Sequence, residues 1–322
     1  MRWLLLRSLV LLAASALAGS VVVFLLLRLL GGDVATVILG RTATPQSLAE
    51  LRSQLGLDRP GIVQYFTWLG DLVRGNLGQS YAAGYDISQQ IQSRLGVTVA
   101  LALGSMAVSS VVSVAAGSYA ALQARKVRGA FVDLLTQLGM AVPTFWAGLV
   151  LVIIVSIHLG WLPASGYVPW SQDPGQTIRS LTLPVAALSI HVTAVLTRYV
   201  KSAMLDVLGQ PYLRTAMAKG RTLPMAVLVH GVRNASVSIV TVGTLMLGGL
   251  LAGTVVIENV FNLPGLGSLL VSAIKGREAL VVQSVAFVIV LMVLTLNFLM
   301  DIAYGVLDPR IRDAEKRGTN VE

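Results

Sequence analysis

Apolar residues in this chain do not alternate with polar ones at the period of a strand or of a surface helix. They come in long runs. Six runs, over roughly 9–30, 97–121, 131–157, 181–203, 235–257 and 284–306, each hold enough residues to cross a bilayer. At 1.5 Å of rise per residue, about 20 residues span a hydrocarbon core of about 30 Å. Lipid offers no hydrogen bonds to stray N–H and C=O groups, so such runs must be helices. The ten-residue alternating segments of a membrane β-barrel are absent. The pattern predicts an all-α integral membrane protein with six transmembrane helices and a long outer segment after the first.

Composition removes the main alternatives. Of 322 residues, 55% are hydrophobic and 12% charged, against about 25% charged in a soluble domain. That is too little polar surface for a soluble enzyme and too much apolar content for a disordered chain. There is no cysteine, which excludes disulfides, a thiolate nucleophile and cysteine-based metal sites.

The net charge of +9 matters through its placement. With the N-terminus inside, 15 of the 24 basic residues fall at the inward ends, from Arg2 and Arg7 through Arg125, Lys126 and Arg128 to Lys316 and Arg317. The short outer loops hold only Arg179, Lys275 and Arg277. This bias fixes the orientation with both termini cytoplasmic. It assigns the basic excess to topology and to membrane lipid, not to nucleic acid. Arg2, Arg7 and Ala14-Ser15-Ala16 have the look of a cleaved signal. The apolar run continues to Leu27, however, too far for a signal core, and reads as an uncleaved span.

The chain divides into 1–30, a cytoplasmic end and first helix; 31–96, an outer segment; 97–306, a five-helix core that includes a cytoplasmic loop at 204–234; and 307–322, a cytoplasmic tail. In the outer segment Thr44 can cap a helix with Pro45 at its first position and Leu48, Leu51 and Leu55 on one face. Asp58 before Pro60 can start a second helix carrying Val63, Phe66, Leu69 and Val73. These helices lie on the membrane surface or pack over the bundle, as a structural cap or as a docking surface. Trp161 and Tyr167 suit the interfacial belt. Asn262-Leu263-Pro264-Gly265-Leu266-Gly267 predicts a re-entrant loop or a short outer helix.

The inner loop 204–234 carries the most information. Gly209 and Pro211 end the helix leaving the fourth span, and residues 211–219 form about two turns. Gly220 is placed as a left-handed cap. Thr222 and Pro224 then start a helix toward the fifth span. The product is a compact knob that suits another protein's groove.

Arg214-Thr215-Ala216-Met217-Ala218-Lys219-Gly220, with His230 ten residues on, resembles the EAA loop of binding-protein-dependent ABC importer permeases. Arg214 stands where the generic pattern has an acidic residue, and Arg233 where it has a proline. The variant from Tyr212 to Gly220, Tyr-x-Arg-Thr-Ala-x-Ala-Lys-Gly, is similar to that of the dipeptide/oligopeptide permease subfamily. Gly75-Asn76-Leu77-Gly78-Gln79-Ser80, Leu162 to Tyr167, Glu258 to Phe261 and Leu307-Asp308-Pro309-Arg310 resemble further stretches of it.

The resemblance implies a type I ABC importer permease fold in a bacterial inner membrane, supplying half of a peptide pathway. It implies a second homologous permease subunit, two ATP-binding cassette ATPases that bind ATP and Mg, and an extracytoplasmic solute-binding protein. Tyr212, Arg214, Thr215, Ala216, Met217, Ala218, Lys219, Gly220 and His230 would couple to the ATPase. This chain has no phosphate-loop motif, nor even one Gly-Lys pair, so it is read as a transport subunit and not an enzyme, with no cofactor, catalytic residue or metal site of its own.

Ionisable residues inside spans are functional candidates. His191 either lines the path or bonds a neighbouring carbonyl. Asp133 is expected at the interface, and Asp301 beside Arg310 or Arg312. Gly139, Gly148, Gly248, Gly249 and Gly253 are read as close helix-packing positions. An ion-coupled transporter would show inverted repeats, and none is evident. An intramembrane hydrolase would need a nucleophile with a paired base, and His158, His191 and His230 are scattered.

Overall fold

The computed structural model describes residues 2–29, 34–39, 43–208, 210–220, 222–226 and 232–307. Its helices are α1 (Arg2–Leu29), α2 (Val34–Leu39), α3 (Pro45–Gln54), α4 (Gly61–Val73), α5 (Ile87–Leu122), α6 (Val127–Ala141), α7 (Thr144–Leu151) with a π-helical continuation Val152–His158, α8 (Pro174–Leu208), α9 (Pro211–Ala218), α10 (Leu223–Ala226), α11 (Val232–Val260), α12 (Leu266–Lys275) and α13 (Ala279–Leu307). Among the described residues the only β pairing is an isolated bridge between Gln79 and Asp86.

Five helices, α1, α5, α8, α11 and α13, are long and apolar enough to cross a membrane. The third apolar run differs from the continuous helix expected over 131–157. It is the pair α6 and α7, bent by 105°. The cause lies at Val142-Pro143. Proline has no N–H to give and pushes the residue before it out of the helical region. Val142 accordingly takes ψ 122° and Pro143 ψ 138°.

The chain forms two compact units, one built on Val99–Leu263 with the last turns of α13, the other on Leu9–Thr98 and Pro264–Thr295. In the first, α8 is the central helix, and α6, α7 and α11 pack on it. Its buried residues include Leu183, Pro184, Ala187, Leu188, Val192, Leu196 and Val200. The α5 backbone approaches it closely because the residues between them are small. Ser109 Oγ donates to the Ser189 carbonyl at 3.3 Å, and Ser189 Oγ donates to the Ser105 and Val185 carbonyls at 3.3 and 2.7 Å. A Cβ on Gly117 would lie 2.8 Å from Val200 Cβ and 2.9 Å from the Thr197 carbonyl oxygen. The partner number rises with the α5 number, so the two helices run parallel. Ala121 then closes a cluster with Val200, Met204 and Val207.

One ion pair joins α6 to α8. Lys201 Nζ donates to both Asp133 oxygens at 2.6 Å. Asp133, expected at the interface, is half exposed and paired with Lys201.

In the second unit Thr44 caps α3 as expected, through a capping box with Ser47. Pro60 precedes α4, and no side chain caps that helix, Asp58 included. Val63, Phe66 and Val73 are exposed, whereas Tyr65 and Trp68 turn inward. Tyr65 meets Phe24 edge-on at 5.4 Å, and Trp68 meets Phe287 at 5.7 Å. The Tyr65 hydroxyl bonds Ser20 Oγ at 2.8 Å. The aromatic residues with polar tips pack, and the purely apolar ones are left for lipid.

The string 262–267 does open a short helix, α12. The Leu266 N–H donates to Thr98 Oγ1 at 2.9 Å. Leu266, Leu269 and Ala273 bury against Ile87, Ile91, Val281 and Val285. Ser80 Oγ donates to the Glu278 carboxylate. Burial, and then that carboxylate, push the nearby Tyr85 phenol above its ordinary value.

Two tests follow from this packing. Gly117→Val must separate α5 from α8, at a cost of about 1–3 kcal/mol. Gly249→Ala, with nothing within 4 Å of its Cβ position, should leave stability unchanged or slightly raised. Residual monodisperse protein after a heating series checks both, and equal stability of Gly117→Val and the parent would refute the close crossing. Lys201→Met alone should destabilise by about 1 kcal/mol, since the Asp133 it leaves unpaired is partly exposed. The double variant Lys201→Met with Asp133→Leu should recover most of that loss. A double variant no better than the single would mean that the two charges act independently.

Candidate functional site

Two features stand out in the first unit, a capped helix on its surface and a cavity in its middle. The helix is α9. Gln210 is extended, with φ −82° and ψ 141°. Pro211 then occupies the first helical position, where a missing N–H costs nothing. Two turns later the Lys219 N–H returns to the Thr215 carbonyl at 3.1 Å and the Gly220 N–H to the Met217 carbonyl at 2.9 Å. Gly220 has φ +87° and open space at its Cβ position. The dihedral, and not crowding, is what calls for glycine there.

Tyr212, Thr215, Met217, Ala218, Lys219 and Gly220 are all exposed. Arg214 and Ala216 lie in the same helix and are described by their backbone alone. His230, the remaining residue of the motif, lies outside the described residues, as do Gly209, Arg310 and Arg312. Asp301 is described by its backbone in α13 alone. The chain thus gathers eight of the nine expected coupling residues onto one short helix and its cap. Tyr212 and Met217 of that surface are each about 40% exposed.

The cavity, of about 400 Å³, lies at the break between α6 and α7. Met140, Ala141, Val142, Pro143 and Thr144 form one wall. Leu188, His191 and Val192 of α8 form a second. Residues from Leu245 to Gly253 of α11 form the third. His191 is the only ionisable residue in the lining. Of the glycines read as packing positions, Gly139 and Gly253 are, since a Cβ would fall 2.9 Å from Ala194 Cβ and 3.2 Å from Leu188 Cδ2 respectively. Gly148 sits 3.2 Å from both Ile257 and Phe261 in the same sense. Gly249 differs, facing open space in the cavity wall.

The break supplies more than shape. A helix start leaves its first N–H groups without acceptors in the helix, here those of Thr144, Phe145 and Trp146. Pro143 gives no N–H to the end of α6. Irregular backbone at membrane depth is tolerated where it lines a cavity, and that is where this one lies.

Sequence reasoning missed three elements. The cavity wall at Val142-Pro143 was legible in the proline but lost in the apolar run. The Asp133–Lys201 pair could have been found by matching charges at the inward ends of adjacent spans. Glu258, fully buried near the end of α11, was marked only as part of a stretch that resembles the subfamily, and its burial was not foreseen. Among the described residues, no three His, Cys, Asp or Glu side chains gather as a metal site would require.

Residues 113–313 match the family described as "Binding-protein-dependent transport system inner membrane component". Residues 1–102 match "Binding-prot-dependent transport system membrane comp, N-term". Similar proteins include the "Putative peptide transport system permease protein" of Brucella abortus (strain 2308), 40% identical over 293 residues, covering 91% of this chain and 93% of that one. Another is the "Di/tripeptide transport system permease protein DppB" of Pseudomonas aeruginosa (strain UCBPP-PA14), 36% identical over 327 residues, covering 95% and 97%. A helical protein with five membrane-capable helices and a sixth, broken one, matched over nearly its whole length, belongs to the family of inner-membrane components of binding-protein-dependent transport systems, as a multi-pass permease subunit.

Proposed function

We propose that this chain forms half of the translocation pathway of an ATP-driven importer of peptides and that α9 is its contact with the ATPase. The observation that carries the coupling role is α9 itself, a two-turn helix closed by a positive-φ glycine, with Tyr212 and Met217 uncovered. It follows directly on α8, whose middle carries His191 in the cavity wall. From His191 to Leu208 is 17 residues of one helix, about 25 Å at 1.5 Å per residue. A displacement passed from α9 to the end of α8 would reach the cavity along this one helix, and the Asp133–Lys201 pair would carry it on to α6. Nucleotide-driven closure of the ATPases would bias this element between two positions.

The peptide assignment rests on the names of the relatives and on the chemistry of the break. The first N–H groups of α7, at Thr144, Phe145 and Trp146, have no acceptor within the helix and are suited to meet main-chain carbonyls of a passing peptide. A second, homologous permease subunit would supply the other half of the pathway. Two ATPases would bind ATP and Mg on the cytoplasmic side, and a solute-binding protein would deliver cargo outside. Both termini and α9 face the cytoplasm in this reading, in accord with the distribution of basic residues.

With no native cysteine, single cysteines report the orientation cleanly. A cysteine at Ser165 should be labelled by an impermeant reagent applied from outside, and one at Ala218 should not. The reverse pattern would overturn the orientation. For coupling, Gly220→Val forces a β-branched residue to positive φ, costing about 1 kcal/mol or more, and misdirects the end of α9. Ala216→Asp puts a charge on the small-residue position of the same helix. Both variants should reach the membrane in normal amounts yet lose ATPase in a pull-down and lose peptide uptake. Full uptake in both would show that α9 is not the coupling element.

A further inference from the structure

The cavity at the break between α6 and α7 is apolar on nearly every side. Met140 and Val142 on one wall, Leu188 and Val192 on α8, and Leu245 and Leu250 on α11 line it with hydrocarbon and thioether. Its only polar side chains are Thr144, at the start of α7, and His191, and no acid stands in the lining. Among the described residues no hydrogen bond engages the His191 imidazole, so the neighbouring-carbonyl role that the sequence left open is not filled. In either protonation state imidazole keeps one N–H to donate, and when protonated it also carries charge. An ionisable group held inside the bundle and facing a cavity marks a substrate path. The polar side chains of this cavity thus suit a negatively charged acceptor, and they offer no carboxylate to an ammonium.

On the reading of the chain as half of a peptide pathway, one part of every unblocked cargo has this chemistry, the C-terminal carboxylate. Resting on that reading, we propose that His191 receives the C-terminal carboxylate of the peptide in this cavity, with the Thr144 hydroxyl donating from the neighbouring wall. A carboxylate leaving water needs donors for its oxygens, and a bond to the charged group is stronger than one to a neutral amide. The apolar walls take the rest of the peptide with little regard to its side chains. Its amino end meets no acid and is not selected. The volume of about 400 Å³ lies within the range of small-ligand pockets, about 300–1,000 Å³.

Gly249 provides the reporter. It lines the same cavity with open space at its Cβ position, and the chain has no native cysteine, so Gly249→Cys places a single thiol there. The full transporter carrying that variant, without its solute-binding protein, is treated with N-ethylmaleimide in the presence of dialanine, N-acetyldialanine, dialanine amide or acetate. Modification of this chain is read by mass spectrometry. Dialanine and N-acetyldialanine should protect the thiol equally, and dialanine amide should need a roughly tenfold higher concentration for the same protection. Acetate should protect little, because it leaves the apolar walls unfilled. Adding His191→Gln should bring both acids to the level of the amide, and His191→Arg should restore the difference. Equal protection by dialanine and its amide in the Gly249→Cys chain would overturn the proposal with no variant at His191 needed. So would a difference that His191→Gln leaves intact in a normally assembled complex. Protection by acetate as strong as that by dialanine would overturn the peptide assignment in favour of a small-anion site. Dialanine uptake by the unaltered transporter, with its binding protein, is measured alongside. Uptake without protection overturns this role of His191 and leaves the import reading standing. No uptake of dialanine or of longer peptides overturns that reading, and the role of His191 falls with it.

Discussion

The parallel crossing of α5 on α8 is the contact on which the first unit depends. Lipid gives apolar side chains no reason to prefer a protein neighbour to an acyl chain, so helix association rests on close packing and on polar groups that satisfy each other. Ser105, Ser109, Ser189 and Gly117 provide both. Their side chains are short enough for the backbones to approach, and their hydroxyls bond carbonyls across the gap. Once α5 is seated, α8 is enclosed on its remaining sides by α6, α7 and α11. It then stands as a fixed axis, with a cavity at its middle and a surface helix at its end.

Much of this was legible in the chain, because lipid imposes rules that local sequence obeys. Long apolar runs located the spans, though α5 begins ten residues and α8 seven residues before the runs that mark them. The left-handed cap at Gly220 followed from its place after two helical turns, and the Thr44 cap from its place before Pro45. The failures share a physical origin. Hydropathy measures how apolar a stretch is, not the direction in which its backbone travels, so the 105° turn at Pro143 was hidden inside an apolar run. Periodicity identified α4 as amphipathic but could not tell which of two solvents its apolar stripe would meet. In a soluble protein Phe66 would point inward. Here Tyr65 and Trp68 do so, and Phe66 faces out. The Asp133–Lys201 pair joins residues 68 positions apart, and local pattern holds no such information.

The same division explains why the proposed coupling residues read more clearly than the cavity between α6, α8 and α11. A docking knob must be exposed, local and capped, and each of those properties is written in consecutive residues. The cavity wall is assembled from several helices, and its members, such as Met140, His191 and Gly249, have nothing in common except where the fold brings them. Gly249 shows the difference well. By sequence it is one more glycine in a span, yet it meets open space where Gly139 and Gly253 meet side chains.

The broken third segment has a consequence for how the protein is made. Each of its legs is about 15 residues, or about 22 Å at 1.5 Å per residue, short of a hydrocarbon core of about 30 Å. The first leg also carries Asp133, whose countercharge Lys201 belongs to the next span to be synthesised. Neither leg has the length to partition into lipid by itself, and the acid makes the first still less apt to do so. The third segment thus depends on the fourth for its place: the charge on its first leg is neutralised only by Lys201 of α8.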